Sequence, residues 1–390
     1  MTRRLSLAVI GLTLSSSWGN GHATTYRALL RAFAARGHRV TFLERDQPWY
    51  ADHRDLPDPD FCRLILYRDR RHLRRFRELI AEADMAIIGS YVAEGAAIGG
   101  WVQGVRRGAT GFYDIDTPVT LSGLRGGRLD YLSPELVAGY DPYLSFTGGP
   151  ALETLETRYG APAARLLYCT ADERLHRPLS VKPRFDLGYL GTYSADRQPA
   201  LERLLVEPAR LAPDLSFVVA GPQFPESIDW PANVTRYSHV SPADHPAFYA
   251  GCRFTLNVTR SDMVGSGFSP SVRLFEAAAC ASPVLSDRWP GIENIFTPGR
   301  EILLVEETRE VLAILRDMAE SERLALGKAA RRRFLYAHSS DQRAGELEKH
   351  LLEALARHGR AGKQADMEAS PGSTRAAARP LPTEAVVLRG

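Results

Sequence analysis

The chain has 390 residues, enough for two or three domains. Its apolar fraction of 44% and charged fraction of 24% are those of an ordinary globular protein. A formal net charge of +3 gives no argument for nucleic acid, and the arginine-rich stretches at 68–77 and 331–333 read as solvated helix faces. The four cysteines (Cys62, Cys169, Cys252 and Cys280) make no close pair and no Cys/His metal spacing, which fits a reducing compartment.

Arg3-Arg4 and the apolar run 5–14 resemble a short signal peptide. The run is too short to span a bilayer, which takes about 20 residues. The amino-terminal region reads instead as a buried parallel strand at 5–10, a Gly-rich turn, a helix over 24–36 and a second strand at 40–43. A cytoplasmic protein is expected. Further strands are predicted at 63–67, 85–88, 110–113 and 143–146, with helices at 71–82 and 95–106 between them. Residues 168–178 (YCTADERLHRP) form a connector. The alternation then restarts, with strands at 186–190, 216–220, 234–237, 254–257, 283–286 and 302–305. Helices are predicted at 199–212, 245–250, 271–280, 310–317, 320–336 and 340–357. Strands alternating with helical crossovers imply parallel sheets covered on both faces. The expected architecture is α/β, two doubly wound Rossmann-like domains facing a central cleft, at 1–172 and 173–339. The helix at 340–357 is expected to pack back on the first domain, and 359–390, rich in Ala, Pro, Gly, Ser and Arg, reads as a disordered tail.

In such a pair, ligands bind at the carboxyl ends of the strands. Ser269-Pro270-Ser271 opens the 271–280 helix, with serine suited to the cap and proline to the first turn. Its amino end offers free N–H groups and partial positive charge to a diphosphate. Arg273 and Glu276 share one helix face; the cation can meet a phosphate and the carboxylate a ribose hydroxyl. The same pattern also suits a plain Ala-rich crossover helix with a surface ion pair. Gly191 in the loop 188–197, with Arg197, can cradle a diphosphate. His239 lies in the run 237–240, where a base would stack. In the first half, Gly19 and Gly21 allow close approach of a ligand. His22 at a helix start is kept neutral by the dipole and can act as general base, or else is a turn residue. Of the pair Asp114 and Asp116, Asp116 is the better candidate to orient or deprotonate an acceptor; turn chemistry is the plainer use of both.

The segments GNGHATTYRALLRAFAARGHRVTFLERD, FYDIDTPVTL, YLSFTGGPALETLETRYGA and NVTRSDMVGSGFSPSVRLFEAAACASPVLSDRWPGIENIF together resemble the CgeB-like glycosyltransferases of the GT-B class, over roughly residues 5–355. The resemblance implies transfer from a nucleotide-sugar donor bound by the second half to an acceptor on the first: a glycan, lipid, protein or small molecule. It implies no cofactor beyond the donor, and no obligatory metal. Glu276 matches the ribose-binding glutamate, Arg197 the basic residue of the diphosphate loop, and His22 falls near the loop that bears the base. Ser269, Ser271 and Arg273 would contact the diphosphate. Many retaining relatives carry a second glutamate eight residues earlier, where this chain has Phe268; Asp262 is a possible substitute. Three other readings stand beside this one. They are a nucleotide-sugar epimerase on the same fold, an NAD-dependent oxidoreductase using Glu44 as ribose acceptor although Thr24 breaks the GxGxxG pattern, and a non-catalytic nucleotide-sugar-binding module.

Overall fold

The computed structural model describes residues 3–18 and 21–369, with side chains up to residue 359. Two sheets carry it, and every described strand pairing is parallel. The first contains β1 (Ser6–Gly11), β2 (Arg39–Arg45), β3 (Arg63–Tyr67), β4 (Met85–Gly89), β5 (Ala109–Asp114), β6 (Tyr143–Ser145) and β7 (Ala164–Leu166), in the order β3-β2-β1-β4-β5-β6-β7. The second contains β8 (Phe185–Leu190), β9 (Phe217–Ala220), β10 (Val234–Tyr237), β11 (Cys252–Asn257), β12 (Val284–Ser286) and β13 (Leu303–Leu304), in the order β10-β9-β8-β11-β12-β13.

β1 is central and its residues from Leu7 to Gly11 are buried, as a strand covered on both faces must be. It pairs in register with β2 on one side and β4 on the other. The order reverses between β1 and β4, and again between β8 and β11. Each reversal leaves a crevice at the strand carboxyl ends, so the loops after these four strands are the ones that can hold a ligand.

Several expected elements differ in detail. The stretch 71–82 is not one helix but two short ones, Arg70–Leu73 and Arg77–Glu82, joined by a 3-10 turn. The stretch 199–212 contains a π turn, Glu202–Val206, just before Pro208. Proline has no N–H to give the helix, and the wider turn accommodates that loss. Among the elements missed are the helices Thr117–Gly126, Pro150–Thr157 and Ser261–Ser266, and the edge strand β7.

The last helix, Ser340–Ala369, leaves the second lobe and lies along the helix His22–Ala35 of the first. Leu347, Leu351 and Ala354 are buried there in one core with Leu29, Phe33 and Val9. Arg36 meets Glu348 at 2.9 Å and Arg357 meets Asp141 at 2.6 Å. This helix runs well past the expected end at 357, into the stretch read as tail; the rest of that stretch, 370–390, lies outside the described residues. The chain thus crosses between lobes twice, and the crossings touch. Thr170 Oγ1 donates to the His338 carbonyl at 2.7 Å, and Glu173 accepts from the Ser340 backbone and hydroxyl at 3.0 and 2.7 Å.

Candidate functional site

A cleft of about 650 Å³ opens between the lobes at the carboxyl ends of both sheets. Gly21, His22, Tyr91 and Asp116 line it from the first lobe. Gly191, Arg197, His239, Arg260, Ser271, Arg273 and Glu276 line it from the second. Ser269 does not face it: the residue is 2% exposed, and its hydroxyl lies 2.9 Å from Thr147 Oγ1 in a buried contact between lobes. Gly19 lies outside the described residues.

The helix expected at 271–280 runs Val272–Ala279, with Ser271 as its extended N-cap at ψ 152°. Pro270 therefore precedes the cap rather than occupying the first turn. The Ser271 hydroxyl caps no helix N–H; it donates to Asn257 Oδ1 at 2.6 Å. Pro270, Ser271 and Val272 all line the cleft, so the positive end of the helix dipole faces the opening.

Asn257, at the end of β11, organises this wall, and no motif announced it. Its Oδ1 also accepts from Arg273 Nη1 at 2.8 Å, while its amide donates to Ser286 and Thr259. Arg273 Nε donates to the Leu190 carbonyl at 2.5 Å, and the guanidinium lies 4.6 Å over the Tyr189 ring. Two of its nitrogens thus bind protein, and the group is only 6% exposed. Its Nη2 points toward Gly191, where a Cβ would stand 2.5 Å from it. A side chain at Gly191 would have to push the tip of Arg273 aside. Arg197 Nη1 donates to the Thr192 carbonyl at 3.3 Å, and its buried Nε has no hydrogen-bond partner. His239 is an exposed residue on the rim; burial is the largest influence on its pKa and lowers it.

Glu276 is 3% exposed on the cleft floor. Tyr249 donates to its Oε2 at 2.8 Å; His245 Nδ1 is 3.4 Å from Oε2 and His176 Nε2 is 3.8 Å from Oε1. Burial works against its charge. The two imidazoles and the phenol outweigh burial and hold the carboxyl at about 2. His245 is raised and His176 lowered from the ordinary value: burial acts downward on both, and for His245 the Glu276 carboxylate prevails.

On the opposite wall His22 opens its helix and stacks on Tyr91, ring centroids 5.7 Å apart. Its pKa is lowered, chiefly by burial, with Asp116 opposing and Arg260 assisting. The Tyr91 hydroxyl donates to Asp116 Oδ2 at 2.8 Å. Arg260 Nη1 stands 3.9 Å from the same oxygen and its Nε 3.6 Å from Asp196. This arginine links the lobes across the cleft. Sequence reading passed over it, although it sits just beyond the β11–loop junction that the sheet order marks out. Asp114 is fully buried; it accepts from Tyr143 at 2.7 Å and Thr120 at 2.8 Å, and burial raises its carboxyl to about 6. It braces β5 and does not line the cleft.

Two further expectations fail on geometry, beside that for Ser269. Glu44 is no ribose acceptor: its carboxylate is buried and accepts from the Leu14 and Ser15 amides and the Ser15 hydroxyl at 2.6–2.9 Å. Asp262 is exposed and outside the cleft lining, so it does not replace the glutamate missing at Phe268. Phe268 itself, at φ 53°, is wedged between Gly149 and Gly291.

Residues 197–349 match the family described as glycosyl transferase-like. A search by sequence against curated proteins finds no match. Among solved structures, sucrose-phosphate synthase from Thermosynechococcus elongatus superposes with TM-score 0.65 at 17% identity, covering 90% of this chain and 100% of that one. The Anabaena protein HepE in complex with UDP and glucose gives 0.64 at 12% identity, covering 91% and 100%. An α-glucosyltransferase in complex with UDP-glucose and DNA containing an abasic site gives 0.65 at 14% identity, covering 90% and 100%. These findings favour glycosyl transfer over the epimerase and oxidoreductase readings. The two facing parallel sheets thus share the fold of these glycosyltransferase structures, and residues 197–349 carry the match to the glycosyl transferase-like family.

Proposed function

We propose that this chain moves a sugar from a nucleoside diphosphate sugar to an acceptor hydroxyl or amine, and that it belongs to the CgeB-like group on the strength of its FYDIDTPVTL and YLSFTGGPALETLETRYGA segments. One observation carries the reading. The open amino end of the 272–279 helix, three arginines (197, 260 and 273) and the ionised Glu276 meet on one side of a single cleft. Negative charge grows on a departing diphosphate, and fixed donors facing it stabilise the transition state by several kcal/mol.

In this reading Gly191, Ser271 and the first-turn amides hold the diphosphate, with Arg197 and Arg273 beside it. Glu276 accepts from the ribose and His239 borders the base. His22 takes the acceptor proton, supported by Asp116. The protein's own positive groups offset the leaving charge, so the reaction needs no cofactor beyond the donor and no obligatory metal. UDP is the first nucleotide to test, because HepE and the α-glucosyltransferase are bound to UDP or UDP-glucose. The acceptor set includes nucleic acid beside glycan, lipid, protein and small molecule, since that α-glucosyltransferase is bound to DNA on the same fold. Low net charge alone was no ground for leaving it out. No helix among the described residues is long and apolar enough to cross a membrane. Four free cysteines support a cytoplasmic site of action.

The test is thermal unfolding of the full chain with a panel of nucleoside diphosphates. A ligand at a hundred times its Kd adds about 2.7 kcal/mol. A melting temperature that no nucleoside diphosphate moves would end the proposal.

A further inference from the structure

Beneath the cleft, three potential metal ligands from three separate segments converge. His176 comes from the connector, His245 begins the helix His245–Ala250, and Glu276 comes from the 272–279 helix. One ligand atom from each lies within 4.8 Å of the other two. His176 is fully buried, Glu276 nearly so, and His245 is partly exposed.

The hydrogen bonds around the rings set what faces inward. His176 Nδ1 is 3.3 Å from the Asp172 carbonyl, which can only accept, so the proton sits on Nδ1. Its Nε2 then presents a lone pair to Glu276 Oε1 at 3.8 Å and has no hydrogen-bond partner. His245 Nδ1, 3.4 Å from Glu276 Oε2, likewise has none. A buried polar atom left unpaired costs about 1–3 kcal/mol. Here two such nitrogens flank a carboxylate. A backbone carbonyl fixing one imidazole nitrogen so that the other is free is the arrangement that orients histidine toward a metal.

We propose that His176, His245 and Glu276 form a binding site for a divalent transition metal ion of the zinc class. Two imidazoles with one carboxylate suit such an ion, whereas magnesium and calcium prefer oxygen ligands throughout. Bonds of about 2.0–2.2 Å need only a small inward movement of the three side chains. The fourth position opens toward the cleft, which His245 and Glu276 both line. No Cys/His spacing in the sequence announced the site, because its ligands lie far apart along the chain and one is a glutamate.

The site rests on ligand geometry and not on the ribose role given to Glu276, so metal titration and nucleotide titration can fail separately. The experiment is calorimetric titration of the full chain with zinc chloride alone, after dialysis against a chelator. We expect one ion per chain. His176→Gln and Glu276→Gln should each weaken binding at least about tenfold, while His72→Gln on the first lobe leaves it unchanged. Circular dichroism checks that the variants fold. If they do not, cobalt added to the wild-type chain gives the readout, with visible absorption bands of a low-coordinate N/O site expected. Absence of saturable zinc binding, wild-type affinity in both folded variants, or cobalt absorption no different from the hydrated ion overturns the proposal.

Discussion

His22 stands where a neutral imidazole is the stable form. Burial is the main cause, with Arg260 assisting and Asp116 opposing. The helix dipole invoked from sequence points the same way, but desolvation leads. A base works in its neutral state, so activity is lost as falling pH protonates the ring. Because its pKa is depressed, the acidic limb of the pH–rate profile should lie below 6.5, the ordinary value. Asp116→Asn removes the group that favours the imidazolium, and should move that limb further toward acid. His22→Ala should lower kcat about 100-fold or more. A limb at or above pH 6.5, or one that ignores Asp116→Asn, removes His22 from the role.

Two glycines on neighbouring loops separate stability from binding. Gly221, after β9, has φ +145°, and a Cβ there would run into the Gly191 carbonyl oxygen. Backbone cannot yield as a side chain can, so Gly221→Ala should destabilise by about 1–3 kcal/mol in urea unfolding. Gly191 has no positive φ, and an added methyl meets chiefly the tip of Arg273. Gly191→Ala should leave the unfolding midpoint nearly unchanged and weaken nucleotide diphosphate binding about tenfold. The reverse pattern would show that the Gly191 loop is scaffold and not site. The same contrast explains what could be read in advance. Apolar runs such as β1 and β4 declare themselves, because a strand buried on both faces has one composition. The 272–279 helix with Arg273 and Glu276 was legible from its small residues and spacing. Asn257, Arg260, His176 and His245 were not. Each gains its meaning from a partner far along the chain, Asn257 with Arg273, Arg260 with Asp116, and the histidines with Glu276. Ser269 and Pro270 misled for a related reason: a cap-like sequence was drawn into the contact between lobes through Thr147.

The last helix belongs to the first lobe by packing, although the chain reaches it from the second. Leu351 is fully buried against that lobe, and no described side chain of the helix lines the cleft. Leu351→Ala should cost about 2–5 kcal/mol of stability by urea unfolding. Nucleotide affinity under native conditions should stay as in the wild type. A loss of affinity in step with the loss of stability would mean that the helix shapes the cleft as well as the core.

The double passage of the chain between lobes limits how they can move. Thr170 bonds to His338 and Glu173 to Ser340, so the outgoing and returning strands of the connection are stitched side by side. A single tether would let one half swivel freely against the other. Two fastened at the same edge leave one easy motion, a rotation about the line through both, like a cover turning on its spine. Substrates must then enter and products leave by the edge opposite that line.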